Sequence, residues 1–125
     1  MQSYDLTIKV DNLRNNQGDV CFSLYNNAKK FPDNKLKHYF KQLKSKINQQ
    51  KSEVTFKDLP KGVYLVHILH DENLNSKIDK GFLMPIEGVG ISNYKTINLL
   101  HKPNFKDGSF ILDKDKTIKV IVNYF

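Results

Sequence analysis

VYLVHILH, residues 63–70, is apolar on both of the faces that an extended chain presents. Such a run is typical of a central β-strand that other parts of the protein cover on both sides. The segments YDLTIKVDNL (4–13) and VCFSLY (20–25) alternate instead, with Leu6 and Ile8 on one face of the first and Phe22 and Leu24 on one face of the second. This alternation predicts half-buried strands with one polar face.

Three further segments have the composition of short strands: EVTFKDLPKG (53–62), GSFILD (108–113) and KTIKVIVNYF (116–125). Turn-forming residues separate them, which favours a mainly β fold. We therefore predict about seven strands arranged as a β-sandwich or a β-barrel. The 125 residues are enough for one packed core, so we expect a single domain over residues 1–125.

The segment from residue 33 to residue 47 departs from this pattern. Apolar side chains recur there at helical spacing, at Leu36, Tyr39, Phe40, Leu43 and Ile47. A capping residue after Pro32 would start such a helix. The spacing predicts one inserted amphipathic helix, about 33–47, that covers the sheet with its apolar stripe.

The net charge of +7 is concentrated in one part of the chain. Residues 29–61 hold ten lysines and three acidic residues, which accounts for the whole excess. This charge favours anionic surfaces, and an anionic-surface-binding domain acting through the Lys-rich helix is one functional hypothesis. Nucleic acid is not a predicted partner, because the chain has one arginine and no recognised nucleic-acid-binding motif.

Cysteine content and hydropathy exclude other classes of protein. With Cys21 as its one cysteine, the chain can form no internal disulfide and no multi-thiolate metal site. No window approaches the ~20 apolar residues of a transmembrane helix. We also expect no signal peptide within these residues, because the first strand begins almost at once. Cys21 lies on the face of its strand that is opposite the inward face, so we expect it to be partly exposed.

HDENLNSKIDKGFLMPIEGVGISN, residues 70–93, contains oxygen-bearing side chains two residues apart. Calcium-binding loops use this spacing, with a backbone carbonyl at the seventh position. The predicted Ca²⁺ ligands are Asp71, Asn73, Asn75, the carbonyl of Lys77, and Asp79. Ser76 and Phe82 depart from the usual glycine and bidentate glutamate, so we expect Glu72 or Glu87 to supply the additional carboxylate. A polar turn without metal stays open as an alternative.

Histidines near this loop suggest a second hypothesis. His70, Asp71 and Glu87 could surround a catalytic metal, which would make the protein a metal-dependent hydrolase. His67 lies three residues from His70, so the two rings point to opposite faces of the strand. We expect His67 to border the core and His70 either to orient Asp71 by a hydrogen bond or to end the strand without a further role.

Two segments resemble a known family: LPKGVYLVHILHDENLNSKID (59–79) and PIEGVGISN (85–93). They are similar to DUF2141, a family of small secreted bacterial proteins of unknown function. The resemblance implies an immunoglobulin-like or prealbumin-like sandwich that is periplasmic or secreted, and it implies no reaction. A non-enzymatic binding or structural module, with an unknown protein or surface ligand as its partner, is the leading hypothesis.

Overall fold

A computed structural model describes residues 3–32, 37–72, 88–97 and 103–124. The described part of the chain is mainly β, with eight strands and one single-turn helix. The elements are β1 (Ser3–Val10), β2 (Asp19–Tyr25), a 3₁₀ turn (Ala28–Lys30), β3 (Lys41–Lys46), β4 (Ser52–Pro60), β5 (Gly62–Asp71), β6 (Gly88–Ile91), α1 (Phe105–Gly108), β7 (Ser109–Leu112) and β8 (Lys116–Lys119).

The smaller sheet has three strands in the order β4-β1-β8. β1 runs antiparallel to β4 and parallel to β8. Its alternation is the predicted one: Leu6, Ile8 and Val10 are buried on the inner face, while Thr7 on the outer face shares a hydrogen bond of 2.9 Å with Thr55. The predicted half-buried strand is therefore confirmed.

The larger sheet has the order β3-β2-β5, and β6 and β7 share the remaining edge of β5. β6 pairs with residues 67–70 of β5, and β7 pairs with residues 62–65. Ser92 fills the break between them. Its N–H donates to the Val66 carbonyl at 2.9 Å. Its hydroxyl accepts from the Val66 N–H at 3.0 Å and donates to the Gly108 carbonyl at 2.5 Å.

Two apolar clusters lie on the two faces of the larger sheet. The inner cluster packs both sheets together and includes Ile8, Phe22, Val66 and Ile68. The outer cluster includes Cys21, Tyr25, Phe31, Leu65, Leu69, Val89, Ile91 and Ile97. β5 contributes to both clusters, which confirms the prediction of a central strand covered on both sides. The prediction that Cys21 is partly exposed is wrong, because its side chain is buried in the outer cluster.

The predicted helix over residues 33–47 is also wrong. Residues 33–36 lie outside the described residues, and Lys41–Lys46 form strand β3 instead. β3 pairs with β2 from Asp19 to Leu24, so its backbone satisfies hydrogen-bonding groups that would otherwise be open at the edge of β2. Phe40 and Leu43, expected on a buried stripe, are about two-fifths exposed.

The C-terminal segment connects the two sheets beyond β8. The Val120 N–H donates to the Lys9 carbonyl at 3.0 Å, and Asn123 then forms an antiparallel bridge with Val89 of β6. Gly88 and Gly90 allow this close approach. A Cβ atom at Gly88 would lie 2.5 Å from both Val122 and Tyr124 side-chain atoms. The two glycines of the EGVG segment therefore leave space for the last residues of the chain.

Candidate functional site

Strand alternation determines which face of the sheet each polar residue at the end of β5 occupies. His70 continues the face of Ile68 toward the inner cluster, whereas Asp71 continues the face of Leu69. β2 starts directly opposite, so Asp19 pairs with Asp71 in the antiparallel ladder. The structure therefore separates His70 from Asp71 and brings the carboxylates of Asp19 and Asp71 to one face of the sheet.

The carboxylate pair is unusual in its burial. Asp71 is fully buried. One oxygen of Asp19, Oδ1, is inaccessible to solvent and has no hydrogen-bond partner among the described residues. Burial raises the pKa of Asp19, and the neighbouring Asp71 raises it further, while Lys44 and His70 act in the opposite direction. An orphaned buried carboxylate oxygen is costly unless a hydrogen bond or a cation compensates it.

The predicted loop ligands are only partly placed. Asp71 stands at the last position of β5, where the loop begins. Asn73, Asn75, Lys77, Asp79 and Glu87 lie outside the described residues. Within the described ranges, no group of three His, Cys, Asp or Glu side chains is arranged to hold a metal ion. Asp19 was not among the sequence-based candidates, because pairing across β2 and β5 is not visible in a local pattern.

His70 is fully buried, and both of its ring nitrogens bind protein groups. Nε2 lies 2.9 Å from the Gln17 carbonyl, which can only accept, so Nε2 carries a proton. Nδ1 lies 2.7 Å from the Tyr124 hydroxyl. That hydroxyl accepts from the Arg14 N–H at 3.1 Å, which leaves its own proton for Nδ1. His70 therefore holds the C-terminal segment rather than orienting Asp71, and its nitrogens are not available to a metal.

Arg14 and Glu72 form a clamp beside this histidine. The Arg14 guanidinium binds both Glu72 carboxylate oxygens, with Nε 3.1 Å from Oε2, and its face lies 4.7 Å from the centre of the Tyr124 ring. Asn15 Nδ2 donates to Oε2 at 2.5 Å. These bonds, first of all those of Arg14, lower the pKa of Glu72 although burial opposes them. Because its oxygens are occupied, Glu72 is a poor choice for the missing cation ligand.

A close backbone contact fixes the turn before β2 against the start of the loop. Gly18 has a φ of +72°, and a Cβ atom there would lie 2.0 Å from the Asp71 carbonyl oxygen. Only glycine meets both requirements. No functional role was predicted for this turn or for Arg14, although a single arginine among twenty Lys and Arg residues is a compositional signal.

A family model covers most of this chain. It is described as an uncharacterized protein conserved in bacteria (DUF2141), and it matches residues 8–119. The chain belongs to the DUF2141 family. No curated protein and no solved structure matches this DUF2141 chain. The resemblance inferred from residues 59–93 is thereby confirmed, and the match extends from β1 to β8.

The other sequence-based candidates have structural positions in this DUF2141 chain. His67 is buried beside Ser23 and Ile91 in the ladder, as expected for a residue that borders the core.

Cys21 Sγ lies 3.9 Å from the Ser23 hydroxyl. Burial raises the pKa of the Cys21 thiol, so the thiolate that a nucleophile requires is disfavoured. The described residues contain no helix long and apolar enough to cross a bilayer.

Proposed function

We propose that this DUF2141 protein is a non-enzymatic binding or structural module whose 70–93 segment is stabilised by a Ca²⁺ ion. The proposal rests on the buried Oδ1 of Asp19, which has no hydrogen-bond partner in the described part of the chain and lies opposite the buried Asp71 at the start of the loop. Two adjacent carboxylates repel each other, and a cation between them removes that repulsion. Oxygen ligands of this kind suit Ca²⁺.

Asp19 supplies the carboxylate that the loop sequence lacks at its twelfth position. In this assignment Asp19 and Asp71 come from the paired strands, and the other ligands come from the loop. The loop ligands are the predicted ones, Asn73, Asn75, the carbonyl of Lys77, and Asp79, with Glu87 as a further carboxylate. Two of the seven ligands then stand on paired strands of the sheet, which favours binding because the strands need no ordering.

The hydrolase hypothesis receives less support from the geometry. It requires His70 to reach a metal or substrate beside Asp71 and Glu87. His70 points to the opposite face from Asp71, and Tyr124 and Gln17 occupy its two ring nitrogens. A catalytic role would require both hydrogen bonds to break in a buried site. Screening hydrolase substrates with the wild type and Glu87→Ala would test this alternative.

We infer an immunoglobulin-like or prealbumin-like sandwich for the finer fold, and a periplasmic or secreted location. The fold inference rests on two packed sheets with alternating inner residues. The location rests on the resemblance to exported proteins. A weak calcium site agrees with it, since extracellular modules bind Ca²⁺ with Kd values of about 10⁻⁴–10⁻³ M. Its partner would be a protein or surface ligand outside the cytoplasm.

Thermal melting of EDTA-treated protein tests the calcium proposal. At 10 mM Ca²⁺, roughly ten times the upper Kd, binding should stabilise the fold by about 1.4 kcal/mol. This corresponds to a rise in Tm of roughly 5 °C for a domain of this size. Mg²⁺ should have a smaller effect, because it requires near-octahedral geometry.

Matched variants identify the ligands. Asp71→Asn should abolish the Ca²⁺ response and Asp19→Asn should reduce it. Asp113→Asn, which removes the same charge at the opposite end of β5 next to the β7 residue Leu112, should retain the full response. An unchanged response in Asp19→Asn would remove Asp19 from the site. A wild-type melt insensitive to Ca²⁺, together with a metal-free elemental analysis, would contradict the whole proposal.

A further inference from the structure

A second polar site lies where the β3–β4 hairpin meets the ends of β1 and β8, next to the start of β2. A cleft of about 460 Å³ opens there. Its lining is dominated by lysines from four separate segments, together with small polar side chains. These residues are Lys9, Lys46, Lys51, Lys119, Asn48 and Ser52.

The hairpin that forms one wall is tightly anchored. Gln49 and Gln50 both have positive φ values, 53° and 61°, as in a two-residue type I′ turn. The Gln50 N–H donates to Asn16 Oδ1 at 2.7 Å, and its carbonyl accepts from the Leu13 N–H at 3.1 Å. The hairpin tip is therefore held against the segment that follows β1, and the wall of the cleft is preformed.

The cleft has an excess of positive charge. Asp11 and Glu53 also line it, and they pair with Lys119 at 2.7 Å and with Lys9 at 3.8 Å. Lys46 and Lys51 have no carboxylate within ion-pair distance among the described residues. Lys9 and Lys119 are moreover direct partners in the β1–β8 ladder, and like charges in that arrangement repel each other.

Protection of sheet edges does not explain this arrangement. Lysines on an edge strand prevent unwanted pairing with other chains, and Lys46 on β3 could serve that purpose. Lys9, however, stands on β1, the central strand of its sheet, and Lys51 belongs to the hairpin turn region. A ligand that carries two negative charges would compensate the ammonium groups of Lys46 and Lys51, which pair with no carboxylate of the described ranges, and would reduce the repulsion between Lys9 and Lys119.

We propose that this cleft binds a phosphate-type dianion, either a free phosphate compound or the headgroup of an anionic lipid. Lysine ammonium groups donate charge-assisted hydrogen bonds to phosphate oxygens, and the Asn48 amide adds a neutral donor. The site shares no residue with the proposed cation site, although Lys46 is the ladder partner of Asp19, and it uses residues on both sides of the hairpin. In this proposal the cleft, and not the predicted Lys-rich helix, is the part of this basic chain that binds anions.

Titration with inorganic pyrophosphate tests the proposal in low salt. EDTA is present, so that pyrophosphate cannot act by removing a bound cation. The double variant Lys46→Gln/Lys51→Gln should weaken pyrophosphate binding by about tenfold, because it removes two exposed ion pairs that each contribute modestly to the binding free energy. Lys29→Gln/Lys30→Gln lowers the net charge equally at a distant exposed turn, so it should weaken binding less than about twofold through screened long-range attraction. Thermal melts of both variants confirm that they fold.

Vesicle sedimentation distinguishes the two sources of phosphate. Binding to vesicles that contain phosphatidic acid, whose phosphate monoester headgroup can carry two negative charges, but not to phosphatidylcholine vesicles, with the same dependence on Lys46 and Lys51, would support the lipid headgroup. Pyrophosphate binding without vesicle binding would support a free phosphate compound. Equal weakening by the cleft and control variants would overturn the proposal, because it would indicate net charge alone. Absence of binding to either probe at millimolar concentration would overturn it as well.

Discussion

Replacing Gly88 by alanine tests how tightly the C-terminal segment packs on β6. An added Cβ atom would lie 2.5 Å from Cε1 of Tyr124 and 2.5 Å from Cγ1 of Val122. Both distances are far below van der Waals contact, so the C-terminal segment must move. Overpacking of this kind costs about 1–3 kcal/mol. Movement of the Tyr124 ring would also weaken its 2.7 Å hydrogen bond to the buried His70.

The combined cost for Gly88→Ala should be about 2–4 kcal/mol, because a buried ring nitrogen that loses its partner adds a desolvation penalty to the steric one. Gly62→Ala is the matched control at the opposite end of the larger sheet. The nearest atom to its added Cβ would be Cε2 of Tyr64, at an ordinary contact distance of 3.7 Å. We expect that control to change the unfolding free energy by less than about 1 kcal/mol.

Urea unfolding followed by far-UV circular dichroism measures both variants. A double-mutant cycle with Tyr124→Phe adds a direct test of the mechanism. If Gly88→Ala acts partly through the lost hydrogen bond, it should cost about 1 kcal/mol less in the Tyr124→Phe background. Unfolding free energies of Gly88→Ala and Gly62→Ala within about 0.5 kcal/mol of each other would refute the packing argument.

Three further changes have defined outcomes. Tyr124→Phe alone should cost about 1–3 kcal/mol in urea unfolding, since it leaves His70 Nδ1 buried without its donor, and an unchanged stability would contradict that bond. Leu43→Ala should lower the unfolding free energy by no more than about 0.5 kcal/mol because the side chain is exposed, whereas Phe22→Ala should lower it by about 3–5 kcal/mol. Comparable losses for the two variants would mean that Leu43 is buried, as the predicted helix required. Glu72→Gln should destabilise the fold more at neutral pH than in acid. Because the pKa of Glu72 is lowered in the folded protein, its ion pair with Arg14 contributes stability above the unfolded pKa and loses it as the pH falls through the folded pKa. Equal losses of unfolding free energy at both pH values would exclude the ion pair.

The strands with a strong local pattern were predictable from the sequence. Alternation identified β1 and β2, and apolar residues on both faces identified β5 as the centre of the larger sheet. In each case the side-chain pattern reflects the burial that the tertiary structure provides. The family match over residues 8–119 agrees with the motif-based resemblance, and two glycines of the motif, Gly88 and Gly90, stand where an added Cβ atom would clash with the C-terminal segment.

The errors occurred where long-range contacts decide the structure. KQLKSK, residues 41–46, has lysines that suit a helix, but the open edge of β2 supplies a ladder of backbone hydrogen bonds. Local propensity is a weak determinant under these conditions. GVGI, residues 88–91, was considered only as part of the predicted calcium loop, yet it forms strand β6, and its glycines leave room for the C-terminal segment. Asp19 was missed because its relation to Asp71 exists only after β2 and β5 pair.

The buried polar residues around His70 explain why a loop with catalytic-looking residues can have a structural role. Tyr124 connects His70 to the C-terminal segment, and Arg14 connects Tyr124 to Glu72. Asp71 therefore lies between two fixed neighbours, with Gly18 packed against its carbonyl oxygen. These contacts fix the backbone on which the proposed Ca²⁺ ligand Asp71 stands, and protein groups already engage the two ring nitrogens of His70 and the carboxylate oxygens of Glu72. For this reason we propose a binding loop rather than a reaction centre.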